Sequence, residues 1–120
     1  MLKFNFAKIN LFTYTMITLC SMDEIPEGLA KSFIIGDRSI FAVKKDNKIF
    51  AYENRCPHLN IELEWNENEF LDTEKRFIIC STHGALFKIK DGGCISGPCE
   101  GQSLSPIKTL IQNKSIYILD

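Results

Sequence analysis

Two short segments of this chain pair a cysteine with a histidine: Cys56-Pro57-His58 and Cys80-Ser81-Thr82-His83. The chain has two histidines, and these pairs use both. A thiolate is a soft anionic ligand and a neutral imidazole a borderline one, so the four side chains make a mixed sulfur and nitrogen donor set. One reading of that set is tetrahedral zinc in a Cys2His2 site, which would make the chain an interaction module. The other is a 2Fe–2S cluster with two ligands on each iron. Zinc ligand pairs usually leave two or more residues between the ligands, so the tight Cys-x-His favours the cluster. A Cys–His nucleophile pair would leave the second pair unexplained.

Ligand type sets the redox character. Two ferric ions, two sulfides and two thiolates sum to zero charge; four thiolates would leave the site at −2. An electron enters a neutral site more easily, so imidazole ligation raises the potential, to about −150 to +300 mV against about −400 mV for plant-type four-thiolate centres. In the first segment Pro57 stiffens the turn and removes a backbone donor. In the second, Gly84 supplies a position free to take a positive φ.

The elements that hold these loops read as antiparallel β-structure, with helix scarce. Strands are expected at residues 15–20, 31–35, 39–44, 48–52, 76–79, 85–89, 107–112 and 115–119. A helical turn is expected at 21–24, before Pro26 and Gly28. Turns fall at 45–47 and at Asn113-Lys114, and 97–101 reads as irregular. At 120 residues the chain suits one small domain. Its net charge of −1 supplies no field for nucleic acid or an anionic membrane. An odd count of five cysteines is not a secreted disulfide framework and points to a reducing, cytoplasmic setting. Lys8, Asn10 and Thr13 interrupt any apolar run near the start, so residues 1–15 read as an extension, disordered or adding an edge strand, and residues 16–120 as the domain proper.

Residues 52–58, YENRCPH, and 79–87, ICSTHGALF, resemble the two cluster-binding loops of Rieske-type 2Fe–2S ferredoxins. The resemblance continues through DGGCISGPCEGQSLSPI, whose Gly97-Pro98 looks like that family's proline loop, and it covers nearly everything from Met16 onward. It implies an all-β fold: an antiparallel β-sandwich base with a small cluster-binding subdomain, its loops near 53–61, 79–87 and 94–101. It implies one 2Fe–2S cluster, with Cys56 and Cys80 on the inner iron and His58 and His83 on the outer. The implied role is that of a monomeric single-electron carrier, not catalytic by itself. It would take electrons from a flavin- or NAD(P)H-dependent reductase and pass them to a terminal oxygenase or other oxidoreductase. A catalytic oxygenase subunit would need a further iron held by two histidines and a carboxylate, and both histidines are spent. The small subunit of a nitrite-reductase-like complex is the alternative. Some of those lack the ligands that all stand here.

The sequence departs from the family pattern in three places. The stretch between the ligand loops is longer than in many members, with an insertion expected around 66–75. High-potential members carry an extra, disulfide-bonded cysteine in each loop; here Ile61 and Ser81 or Thr82 stand there. Such members also place hydroxyl donors after the second histidine, where this chain has Ala85 and Phe87. Fewer donors stabilise the reduced cluster less, so the expected potential lies at the low end. Among the other residues, Cys20 reads as core and Trp65 as packed beneath the ligand loops, with a place on a partner-docking face as the competing reading. Leu59 and Ile61 are either a docking tip or buried. Glu62, Glu64, Glu67 and Glu69 are either a steering patch or a solvated loop. Cys94 and Cys99 read as small buried thiols, with a local redox pair as the competing reading.

Overall fold

The structure, a computed structural model, describes residues 8–9, 14–57 and 59–120. The strands run β1 (Lys8–Ile9), β2 (Tyr14–Ser21), β3 (Ala30–Ile35), β4 (Arg38–Lys45), β5 (Lys48–Glu53), β6 (Phe77–Ile79), β7 (Leu86–Lys88), β8 (Cys94–Ser96), β9 (Pro106–Ile107), β10 (Thr109–Gln112) and β11 (Ser115–Leu119). They form two four-stranded sheets, β1-β2-β11-β10 and β3-β4-β5-β9, and a three-stranded sheet, β6-β7-β8. All the pairings are antiparallel. The helical element among the described residues is the single turn Met22–Glu24, where the Glu24 carboxylate accepts the Ser21 N–H at 3.1 Å. No helix among the described residues is long and apolar enough to cross a membrane.

β4 explains the layering. Its run Ile40-Phe41-Ala42-Val43 is buried at every residue, as a strand covered on both faces must be. Successive side chains point to opposite faces. Ile40 and Ala42 therefore meet Ile17, Cys20, Ile116 and Ile118 of the other large sheet. Phe41 and Val43 meet Tyr52, Leu63, Phe70, Ile78 and Phe87 beneath the small sheet. The base is thus a sandwich, and the small sheet sits on its outer face.

Two hairpins follow from local chemistry. Asp46 and Asn47 both hold positive φ, 55° and 60°, as do Asn113 and Lys114, at 51° and 64°. Two consecutive positive φ values make the type I′ turn, whose twist matches the strands it joins. The expected strand at 107–112 is instead two. β9 pairs with β5 in one sheet and β10 with β11 in the other, so the chain changes sheets at Lys108. Cys94–Ser96 is a strand where a loop was expected, paired with β7 across a register shift.

The insertion is not a free loop. Phe70 is fully buried, and Asn68 accepts the Ser32 N–H at 2.8 Å. Asp72 accepts the N–H groups of Arg76 and Phe77 at 2.9 and 3.1 Å, closing the turn that leads into β6. Trp65, expected to pack under the ligand loops, is 73% exposed, because Phe70 and Leu63 already fill that core.

Candidate metal centre

Each ligand loop closes on itself through main-chain bonds. In the first, the Cys56 N–H donates to the Ile61 carbonyl at 2.6 Å, and the Asn60 N–H donates back to the Cys56 carbonyl at 2.7 Å. In the second, the Cys80 N–H donates to the Ala85 carbonyl at 2.9 Å and the Gly84 N–H to the Cys80 carbonyl at 2.8 Å. Gly84 sits at φ +72°, the conformation its lack of a Cβ permits cheaply. The Ser81 N–H donates to the Leu63 carbonyl at 2.8 Å, joining the second loop to the segment that leaves the first.

Asn54 is a positioning residue that the ligand motifs did not single out. It is buried, and its side-chain oxygen accepts the Leu63 N–H at 2.9 Å. Its amide nitrogen donates to Glu64 at 2.9 Å and to the Ser39 hydroxyl at 3.2 Å. One side chain thereby ties the first ligand loop to β4 and to the segment running toward the second. Its only sequence signal is a polar residue two positions before a ligand.

Cys56 and Cys80 come together in the buried cluster under the small sheet, 2% and 1% exposed. Burial raises the Cys80 thiol above its ordinary pKa; N–H groups of Thr82 and His83 aimed at its sulfur oppose this, and the hydrogen-bonded Cys56 thiol adds to the rise. Burial favours the neutral form of Cys80; a bound ferric ion would reverse that preference. His83 lies on the same turn, exposed at the surface. His58 lies outside the described residues, and among those described no three His, Cys, Asp or Glu side chains are gathered closely enough to hold an ion. Two buried sulfurs, backbone donors aimed at one of them, and a surface imidazole three residues beyond it fit a mixed-ligand cluster.

Gly97 meets the second loop directly. A Cβ there would lie 2.9 Å from the Ala85 Cα, at a φ of +106°. The turn at 97–99 thus packs as a strap against the loop that carries Cys80 and His83. Ala85 and Phe87, both buried, offer that region no side-chain donor. Leu59 and Ile61, left open above, are 42% and 38% exposed beside the first loop. Glu62, Glu67 and Glu69 are exposed, whereas Glu64 is half-buried on Asn54.

A family model described as the Rieske [2Fe-2S] domain matches residues 15–113. The biphenyl dioxygenase ferredoxin subunit of a Pseudomonas species is 30% identical over 107 residues, covering 87% of this chain and 91% of that one. The ferredoxin component of the alkene monooxygenase system of Xanthobacter autotrophicus is 25% identical over 97 residues, covering 81% and 69%. Among solved structures, the ferredoxin of carbazole 1,9a-dioxygenase from Nocardioides aromaticivorans superposes with a TM-score of 0.71 at 17% identity. That match covers 86% of this chain and 95% of that one, a likeness of fold. The match across residues 15–113, on a β-sandwich that carries a small two-loop sheet, shows that this chain belongs to the Rieske [2Fe-2S] domain family.

Proposed function

We propose that this chain is a ferredoxin that carries single electrons within an oxygenase system, holding one 2Fe–2S cluster through Cys56, His58, Cys80 and His83. Electrons would come from a flavin- or NAD(P)H-dependent reductase and leave to a terminal oxygenase. The observation that carries this reading is the meeting of Cys56 and Cys80 as buried neighbours behind the exposed turn of His83. When bound, the cluster supplies a one-electron couple.

The chain's own residues do the rest. Cys56 and Cys80 anchor the inner side of the site, where Leu63, Phe70 and Phe87 exclude water. Thr82 and His83 direct backbone N–H groups at the Cys80 sulfur and favour its thiolate. His83 brings the edge of the site to the surface, so a partner need approach only that turn. Leu59 and Ile61 offer apolar contact beside it, and Glu62, Glu67 and Glu69 offer charge that would steer a basic face into place. Relatives named as ferredoxin components of oxygenase systems support the same assignment.

Electron paramagnetic resonance of the dithionite-reduced protein tests this, with iron and sulfide quantified on the same sample. The expected result is a 2Fe–2S signal of low average g with two irons per chain. Zinc without iron would sink the reading. A redox titration should place the midpoint below zero millivolts, because Ala85 and Phe87 donate no hydrogen bond from their side chains.

A further inference from the structure

Cys94 begins β8 and Cys99 ends the strap that packs on Ala85. The Cys99 thiol donates to the Cys94 sulfur at 2.9 Å, and the Cys94 thiol donates onward to the Ser96 carbonyl at 3.3 Å. Main-chain bonds hold both ends of the strap. The Cys94 N–H donates to the Gln102 carbonyl at 2.9 Å, and the Gln102 N–H donates to the Cys99 carbonyl at 2.8 Å. Closing the gap to a bonded S–S separation of about 2.05 Å therefore asks for a sulfur shift under about 1 Å. Cys94 is 9% exposed and Cys99 1%, so a reagent from solvent reaches Cys94 first.

We propose that Cys94 and Cys99 form a two-electron dithiol/disulfide couple whose oxidant is a small disulfide of the glutathione class. The Cys94 sulfur attacks one sulfur of glutathione disulfide; that S–S bond breaks, and one glutathione leaves with the Cys94 proton. The Cys99 sulfur then attacks the Cys94 sulfur of the mixed disulfide. The second glutathione leaves with the Cys99 proton as the Cys94–Cys99 bond forms. Two thiols lose two electrons and two protons, and glutathione disulfide gains them as two glutathiones. The new bond closes the strap on itself where Gly97 rests on Ala85, fixing the surface that backs the second ligand loop. The couple depends on these two sulfurs and on no reading of the metal site.

The test uses the full-length, cluster-loaded protein. It is incubated with glutathione disulfide, acid-quenched, alkylated under denaturing conditions and digested with trypsin. Cleavage after Lys90 and Lys108 puts both cysteines on one peptide. That peptide should be two hydrogens lighter and carry no label, while Cys20, Cys56 and Cys80 take label. Dithiothreitol should restore both labels. In Cys99→Ser, glutathione should accumulate on Cys94. If that variant does not fold, the peptide map of the unaltered chain decides alone. Full label on Cys94 and Cys99 after oxidation, glutathione retained on Cys94 of the unaltered chain, or a bond from either to Cys56 would overturn the proposal.

Discussion

The ring of Phe70 lies flat on the ring of Phe41, with centroids 4.2 Å apart and planes 5° from parallel. Phe41 belongs to the central strand of the base, and Phe70 to the segment between the two ligand loops. It is the one buried side chain between Leu63 and Ile78. This stack fastens the small sheet to the sandwich. Phe70→Ala should lower the unfolding free energy by about 3–5 kcal/mol, the range for a large core deletion. Urea denaturation measures it, and a loss below about 1 kcal/mol would show that the stack does not hold the two parts together.

Gly97 and Gly84 both hold positive φ, but their surroundings differ. A Cβ at Gly84 meets open space, whereas one at Gly97 meets the Ala85 backbone at 2.9 Å. Gly84→Ala should cost about 1–2 kcal/mol, from the left-handed conformation alone. Gly97→Ala should cost more, because the strap or the second ligand loop must also move. Thermal midpoints of the two variants check the order.

The Glu27 carboxylate accepts the N–H groups of Asp46 and Asn47, at 2.6 and 2.9 Å, and so braces the β4–β5 turn. Those bonds hold its pKa below the ordinary 4.5. A depressed folded pKa contributes stability that is fully present above the unfolded value and is lost as pH falls through the folded one. Glu27→Gln should therefore be less stable than the unaltered chain at neutral pH, and the difference should shrink below about pH 4.5. Thermal melts of both proteins from neutral to acid pH test this; a constant difference would contradict it.

Removal of the proposed ligands separates the site from the other cysteines. Cys56→Ser and Cys80→Ser should purify with iron near zero, because each loses a thiolate. Cys20→Ser should keep the full complement, since Cys20 lies buried between the two large sheets. His83→Cys should keep a cluster and lower its midpoint, because another thiolate adds negative charge. Iron analysis and a redox titration decide these outcomes.

The sequence alone determined what rests on neighbours along the chain. The two Cys/His pairs, the positive φ at Gly84 and the turns at Asp46-Asn47 and Asn113-Lys114 are local, because spacing and residue type set them. The run Ile40-Phe41-Ala42-Val43 was likewise legible as strand. The break at Lys108 was not, since membership of one sheet or the other depends on partners far along the chain. Trp65 and Phe70 are both large aromatics in one polar segment. Only the space left above Phe41 decided that Phe70 goes inside and Trp65 stays out. Tertiary structure alone brought Cys56 against Cys80, Asn54 against Leu63 and Cys94 against Cys99. The first contact joins the two ligand loops, the second closes the first loop across nine residues, and the third crosses a strap held at both ends, so each side chain's place follows from the packing of the whole sheet on the sandwich.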